Sequence, residues 1–335
     1  MNARQSPHEH SDAGRGRLWD LPWNLLVVAG PTASGKTALG VELAARFAGE
    51  IISVDSRQVF RGMDLGTGKD LHEYGSVPYH LIDILDPGQE FSVYAFQRRF
   101  FAAFDEIRYR GRLPVAVGGT GLYLEAVLKG YRLTEVPENP ALRQEVAALS
   151  LEDLTARLRN ANPRLHNTTD LLERERLVRA LEIALHEPAP EPEPAPDIRP
   201  FIIGIRWERS LLRQRITARL KARLEQGMIG EVEHLLANGV PPETLEYYGL
   251  EYRYIAAHLR GTFNRNDLFQ KLNSAIHDFA KRQETWFRRM ERNGTTIHWV
   301  EGAGEPMAEA LELLDRARQN AGGGDASPHP AEGER

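Results

Sequence analysis

The stretch Gly30-Pro31-Thr32-Ala33-Ser34-Gly35-Lys36-Thr37 is a full match to the phosphate-binding pattern G-x-x-x-x-G-K-[ST], and it constrains the fold more than any other part of the chain. Its glycines let successive backbone N–H groups converge on phosphate oxygens at a helix N-terminus, where the helix dipole also favours negative charge. That requires a strand before the loop and a helix after it. Asn24 to Ala29 (NLLVVA) reads as a short buried strand and Lys36 to Phe47 as the helix. Lys36 adds a point charge, and the Thr37 hydroxyl is a candidate ligand for Mg²⁺. An ordinary Gly-rich turn is the plain alternative. The loop alone does not say which phosphate it holds.

The rest of the chain continues the alternation of strand and helix. Leu39, Leu43 and Phe47 recur at helical spacing, Gly49 supplies a stop, and Ile51 to Val54 makes a second strand with Asp55 and Ser56 at its carboxyl end. In open α/β sheets that end faces the ligand crevice. Asp55 is therefore a candidate general base or metal-shell carboxylate, against the simpler role of a helix cap. Arg57 to Lys69 is an irregular, glycine-rich loop suited to contacting substrate. His80 to Ile84 (HLIDI) is a third expected strand, and Ser92 caps a helix that Gly111 ends. Leu113 to Val117 is a fourth strand. It turns through Gly118-Gly119-Thr120-Gly121 into another helix, repeating the geometry of the phosphate loop, so Thr120 is a second site candidate.

From about Tyr131 the pattern becomes purely helical, over 143–149, 152–159 and 171–186, and ends in a proline-rich acidic run over 187–196 that reads as an extended spacer. Phe201 to Ile205 returns as a strand that rejoins the first sheet. Ser210 then caps a long helix in which Leu212, Ile216, Leu220 and Leu224 form an apolar stripe beside Arg215, Arg219 and Arg223. Adjacent like charges cost free energy unless an anion relieves them, which favours an anion contact over a merely solvated face. A second basic concentration, Lys281 to Arg292, interleaves Trp286 and Phe287 with cations and suits RNA, the plain alternative being buried aromatics with cations in water. Thr296 to Val300 closes the sheet, and a short amphipathic helix follows.

Composition removes several classes of function. The 335 residues contain no cysteine, so there are no disulfides, thiol nucleophiles or thiolate metal sites. No apolar run is long enough to span a membrane, and the first twenty residues lack the apolar core of a signal peptide. The expectation is a soluble cytoplasmic protein. The net charge of −5 does not argue against RNA, because the two signs are segregated along the chain. The expected organisation is a tail over 1–20, a core over 21–130, a helical insertion with its linker over 131–197, the second part of the core with the basic helices over 198–318, and a tail over 319–335.

Taken in order, GPTASGKT (Gly30 to Thr37), ISVDSRQVFRGMDLGTGK (Ile52 to Lys69), HLIDI, VGGTGLY (Val117 to Tyr123), RLVRALE (Arg176 to Glu182) and AKRQETWFR (Ala280 to Arg288) resemble the tRNA dimethylallyltransferase family, prenyltransferases that modify the adenosine beside the anticodon. The resemblance implies an α/β fold, a P-loop NTPase-like parallel sheet flanked by helices with an all-helical insertion. It implies that the loop holds dimethylallyl diphosphate through Gly30, Thr32, Ala33, Ser34, Gly35, Lys36 and Thr37, with Mg²⁺ on Thr37. By motif position Asp55 is the general base for the adenine N6, Thr120 positions the adenine and Arg219 stabilises the leaving group. Ser56, Arg57 and Gln58 fall where the family contacts the target nucleotide. Arg143, Arg176, Arg179, Lys281, Arg282, Gln283, Trp286 and Arg288 are assigned to the grip on the tRNA anticodon arm. The adenosine would be flipped out of its stack to reach the donor, and a monomer is expected. Gly249-Leu250-Glu251-Tyr252-Arg253 and Ile276-His277 depart from the usual pattern. Three other readings compete: a small-molecule kinase, a transferase acting on free adenine nucleotides, and an RNA-binding protein with a degenerate loop.

Overall fold

A computed structural model describes residues 21–162, 174–186 and 194–322. They form two compact units, one made of the chain up to Gly130 and from Pro196 onward, the other of Tyr131–Ala195.

The first unit is built on β1 (Leu25–Ala29), β2 (Gly49–Val54), β3 (Tyr79–His80), β4 (Leu113–Gly118), β5 (Pro200–Arg206) and β6 (His298–Glu301). They pair in parallel in the order β3-β2-β4-β1-β5-β6. β1 sits inside the sheet and is buried on both faces, which is why its sequence is a continuous apolar run. Leu26 and Val28 pack with Leu39 and Leu43 of α1 (Lys36–Arg46) and with Ala310 and Leu314 of α12 (Pro306–Gly322). Leu25, Val27 and Ala29 face the opposite layer, with Phe96, Phe100 and Phe104 of α2 (Val93–Tyr109), Leu124 of α3 (Gly121–Leu128) and Phe287 of α11 (Arg265–Arg292). A third core joins α7 (Arg209–Glu225), α8 (Met228–Ala237), α9 (Pro242–Tyr247), α10 (Leu250–Leu259) and α11.

The second unit is helical, with α4 (Pro140–Glu145), α5 (Leu151–Ala161) and α6 (Arg174–Leu185) around Leu142, Leu154, Leu158, Leu177 and Leu181. Ser150 and Asp153 close a capping box on α5. The tail over 1–20, residues 163–173, most of the proline-rich run and residues 323–335 lie outside the described residues. No described helix is long and apolar enough to cross a membrane.

Several local expectations need correction. HLIDI is a strand only at His80, because Leu81 and Asp83 have φ of 63° and 54°, which strand pairing does not allow. Asp83 instead turns to the fully buried ammonium of Lys69, which also bonds the Phe60 carbonyl at 2.7 Å and Asp64 at 2.6 Å. Gly49 opens β2 rather than stopping α1; a Cβ there would meet the Leu113 carbonyl oxygen at 2.7 Å. The cap of α7 is Glu208, whose carboxylate accepts from the N–H groups of Ser210 and Leu211, not Ser210 itself. The helix expected over 143–149 is the earlier, shorter α4, and α12 runs to Gly322, past the expected start of the tail at 319. Ser92 does cap α2, accepting from Ala95 N–H at 3.1 Å.

Candidate active site

The phosphate loop leaves β1 at the carboxyl edge of the sheet and enters α1 through Gly35, whose φ of 89° is left-handed. Three side chains from other parts of the chain hold it. Arg215 Nε donates to the Ala33 carbonyl at 2.9 Å, Trp207 Nε1 donates to the Ser34 carbonyl at 2.9 Å, and Gln283 Oε1 accepts from Thr32 N–H at 2.8 Å. The Arg215 guanidinium also stacks 4.2 Å from the Trp207 ring centre. A planar trans peptide points its N–H opposite its C=O. Tying back the carbonyls of Ala33 and Ser34 therefore turns the Ser34 and Gly35 amides the other way. The Ser34 hydroxyl is buried with no hydrogen-bond partner among the described residues. A phosphate oxygen is a group that would satisfy it.

Lys36 lies in a concentration of cations. Its ammonium is pushed down to about 8 by burial first and then by Arg219, with Arg223 acting the same way and Asp55 and Asp70 opposing. Arg219 and Arg223 on α7 share one carboxylate, donating to Asp70 at 3.1 and 2.9 Å. Arg223 is itself lowered to about 10, by burial and then by Arg219. With Thr32 and Ala33 these arginines line a cleft completed by Ile216, Leu220, Met228, Glu251 and Ile276. Burial pushes the Glu251 carboxyl up, against the pull of Arg223 and Arg219. The lining thus mixes two cationic side chains with four aliphatic ones and the carboxyl of Glu251.

Asp70 and Glu251 are missing from the residues expected at the site, and Arg223 is expected there only as a member of the arginine stripe. The arginine stripe was visible as spacing, but its carboxylate partner lies in the irregular loop after Arg57. That loop is shaped by Glu231 of α8, whose carboxylate accepts from the N–H groups of Asp64, Leu65 and Gly66 at 2.8, 2.7 and 3.0 Å. Nothing in the spacing of Glu231 marks it for this role.

Asp55 and Thr120 follow the ends of neighbouring paired strands. Val54 is paired with Gly118, and Thr120 N–H donates to the Val54 carbonyl at 3.4 Å. Asp55 Oδ1 accepts from Arg57 N–H at 2.9 Å, which orients the carboxylate and leaves its second oxygen for another donor. Thr120 is the N-cap of α3, but its hydroxyl makes no cap bond. Ser56 and Arg57 are half-buried beside Asp55, and burial lowers the Arg57 guanidinium. Gln58, expected on an adenine edge, is engaged inside the protein. It accepts from the Ser53 hydroxyl at 2.8 Å and donates to the Gly68 carbonyl at 3.1 Å.

The cations assigned to RNA fall into two groups. On α11, Lys281, Arg282 and Arg288 are exposed, whereas Phe287 is in the core and Trp286 packs against Gly121. Gln283 faces inward, away from the RNA contact expected of it. In the helical unit, Arg143 Nε and Arg179 Nη1 both donate to the carboxylate of Glu182, at 2.8 and 2.9 Å. Burial alone would raise that carboxylate, but bonds from Arg143, Asn139 N–H and Arg179 hold it at about 2. A fully buried carboxylate needs such partners, so these two arginines are committed within the fold. Arg176 lies exposed on α6.

Comparison with known proteins shows the family of the chain. Residues 58–290 match the family model described as IPP transferase. The chain is 69% identical over 291 residues to tRNA dimethylallyltransferase 1 of Geotalea uraniireducens, covering 87% of this chain and 97% of that one. Among solved structures, the tRNA isopentenylpyrophosphate transferase of Bacillus halodurans superposes with a TM-score of 0.66 at 32% identity, covering 89% of this chain and 98% of its own. A eukaryotic dimethylallyltransferase acting on tRNA shares the fold, with a TM-score of 0.72 at 21% identity over 92% of this chain and 81% of its own. The phosphate loop, the neighbouring turns that carry Asp55 and Thr120 and the basic face of α11 thus stand in a chain that belongs to the IPP transferase family, whose curated relatives are tRNA dimethylallyltransferases.

Proposed function

We propose that this chain transfers the dimethylallyl group of dimethylallyl diphosphate to N6 of adenosine 37, beside the anticodon of tRNA, and releases diphosphate. The observation that carries the donor half is the cleft beside the phosphate loop, lined by Thr32, Ala33, Arg219 and Arg223 together with Ile216, Leu220, Met228 and Ile276. An anion joined to a short branched hydrocarbon suits a lining that mixes cations with aliphatic side chains. A nucleoside triphosphate would bring a polar ribose and base against those aliphatic groups.

In this reading the Gly35, Lys36 and Thr37 amides, the Lys36 ammonium and Arg219 take up the charge that grows on diphosphate as the allylic C–O bond breaks. Gly30, Ala33 and Ser34 shape that cradle. Thr32 adds its hydroxyl, since its N–H is held by Gln283. Thr37, in the first turn of α1, is the residue that would hold Mg²⁺, through its hydroxyl. When bound, the metal would neutralise part of the leaving-group charge. The free oxygen of Asp55 accepts a proton from N6 as the C–N bond forms, and the Thr120 hydroxyl orients the adenine. Ser56 and Arg57 border that acceptor position, while Lys281, Arg282 and Arg288 meet the RNA backbone. The enzyme acts as a cytoplasmic monomer.

The deciding experiment offers labelled dimethylallyl diphosphate and Mg²⁺ with unmodified tRNA, AMP and ATP in parallel. Label is expected in tRNA alone. Label in AMP but never in tRNA would instead assign a free-nucleotide acceptor.

Lys36 adds a pH signature. Its value near 8 leaves it about half protonated at pH 8. A bound diphosphate favours the charged form, so binding should take up about half a proton at pH 8 and almost none at pH 6, where Lys36 is already charged. Calorimetry of dimethylallyl diphosphate binding in buffers of different ionisation enthalpy checks this, and Lys36→Arg should abolish the uptake.

A further inference from the structure

Gln283 sits where the two glycine loops of the site meet. It lies on the inner face of α11, 8% exposed, between Lys281 and Arg282 on one side and Trp286 on the other. Its Oε1 accepts from Thr32 N–H at 2.8 Å, and its Nε2 donates to the Gly119 carbonyl at 3.0 Å. Thr32 belongs to the phosphate loop, and Gly119 immediately precedes Thr120.

The fit leaves no slack. A Cβ at Gly119 would stand 2.5 Å from Gln283 Nε2 and 2.8 Å from the Gly30 carbonyl oxygen, and a Cβ at Gly121 would run into the Trp286 ring. These glycines therefore let α11 and both loops approach at backbone distance. The two bonds also demand an amide side chain, which has an acceptor and a donor at the same reach. Glutamate would face the Gly119 carbonyl with a second acceptor, and lysine could not accept from Thr32. No other described side chain is hydrogen-bonded to both loops.

We propose that Gln283 is a positioning residue that fixes the phosphate loop and the Gly119–Thr120 turn to one another, and so sets the separation between the donor carbon and the adenine nitrogen. This rests on the reading of the first loop as the diphosphate site and of Thr120 as an acceptor contact. Gln283 touches neither substrate. It acts through Thr32, whose amide it removes from the set available to phosphate, and through the turn that carries Thr120. A misplacement of about 1 Å in a transfer reaction costs on the order of 10²-fold in rate, so loosening the clamp should appear in turnover rather than in tRNA affinity.

The test compares wild type with Gln283→Met, which keeps the volume, Gln283→Glu, which keeps one bond, and the milder Gln283→Asn, all in the full chain. Thermal unfolding, tRNA affinity by filter binding, kcat and the KM for dimethylallyl diphosphate are measured. The expected result is a folded protein with tRNA affinity within about twofold of wild type and kcat lower by about 10- to 100-fold for Met and Glu. Unchanged kcat in folded variants would overturn the proposal. So would a loss of tRNA affinity matching the loss of kcat/KM, which would make Gln283 an RNA contact. Failure of all three variants to fold would make it a folding residue only. Absence of transfer by wild type would instead remove the underlying reading of the site.

Discussion

Asp55→Asn is expected to bind tRNA as tightly as wild type and to transfer the dimethylallyl group about 10²- to 10⁴-fold more slowly. The adenine N6 lone pair is delocalised into the ring, so the nitrogen becomes a competent nucleophile only as its proton leaves. The geometry suits Asp55 to the proposed proton transfer, because one of its oxygens accepts from Arg57 N–H at 2.9 Å and so orients the carboxylate. The asparagine oxygen can keep the Arg57 bond, while the amide cannot take a proton. The substitution therefore separates basicity from shape. Near-normal turnover in this variant would remove Asp55 as the base and leave it a loop-orienting residue.

Arg219→Gln should lower kcat by about 10²- to 10³-fold, the cost of removing one preorganised donor from a developing anion. The fold around it should persist, because Asp70 retains Arg223 at 2.9 Å. The same variant makes a second prediction of opposite sign. After burial, Arg219 is the strongest influence depressing Lys36. Removing its charge raises the lysine, leaves it more fully protonated at pH 8, and shrinks the proton uptake that accompanies dimethylallyl diphosphate binding. A loss of rate with undiminished uptake would mean that Arg219 acts on the leaving group without setting the charge state of Lys36. Calorimetry and single-turnover kinetics on one preparation read both effects.

The parts of this site carried by short periodic segments are legible in the sequence. Apolar runs mark β1, β2, β4 and β5 because parallel strands covered on both faces must be apolar at every position, and that places Asp55 and Thr120 at the same edge as the phosphate loop. The arginines at 215, 219 and 223 declare a common face through helical spacing. What is hidden depends on contacts made by residues far apart in the chain. Asp70 meets Arg219 and Arg223 across about 150 positions, and Gln283 reaches Thr32 across 251. HLIDI looks like a strand by composition, yet Leu81 and Asp83 leave the strand conformation where Asp83 turns to the buried Lys69. Arg143 and Arg179 carry the charge expected of an RNA grip, but the buried carboxylate of Glu182 holds them inside the helical unit. In each case a buried polar group, invisible to periodicity, decides the partner.

In the proposed reaction a phosphate loop of this type serves as the leaving-group site for a prenyl donor. The most direct test is nucleoside mass spectrometry of unmodified tRNA incubated with the enzyme, Mg²⁺ and dimethylallyl diphosphate, with diphosphate release measured in the same reaction. One dimethylallyl group on adenosine 37 and one diphosphate released for each modified nucleoside are expected. Diphosphate release with adenosine 37 unmodified, or phosphate transfer from ATP to a small acceptor in place of prenyl transfer, would contradict the proposed reaction.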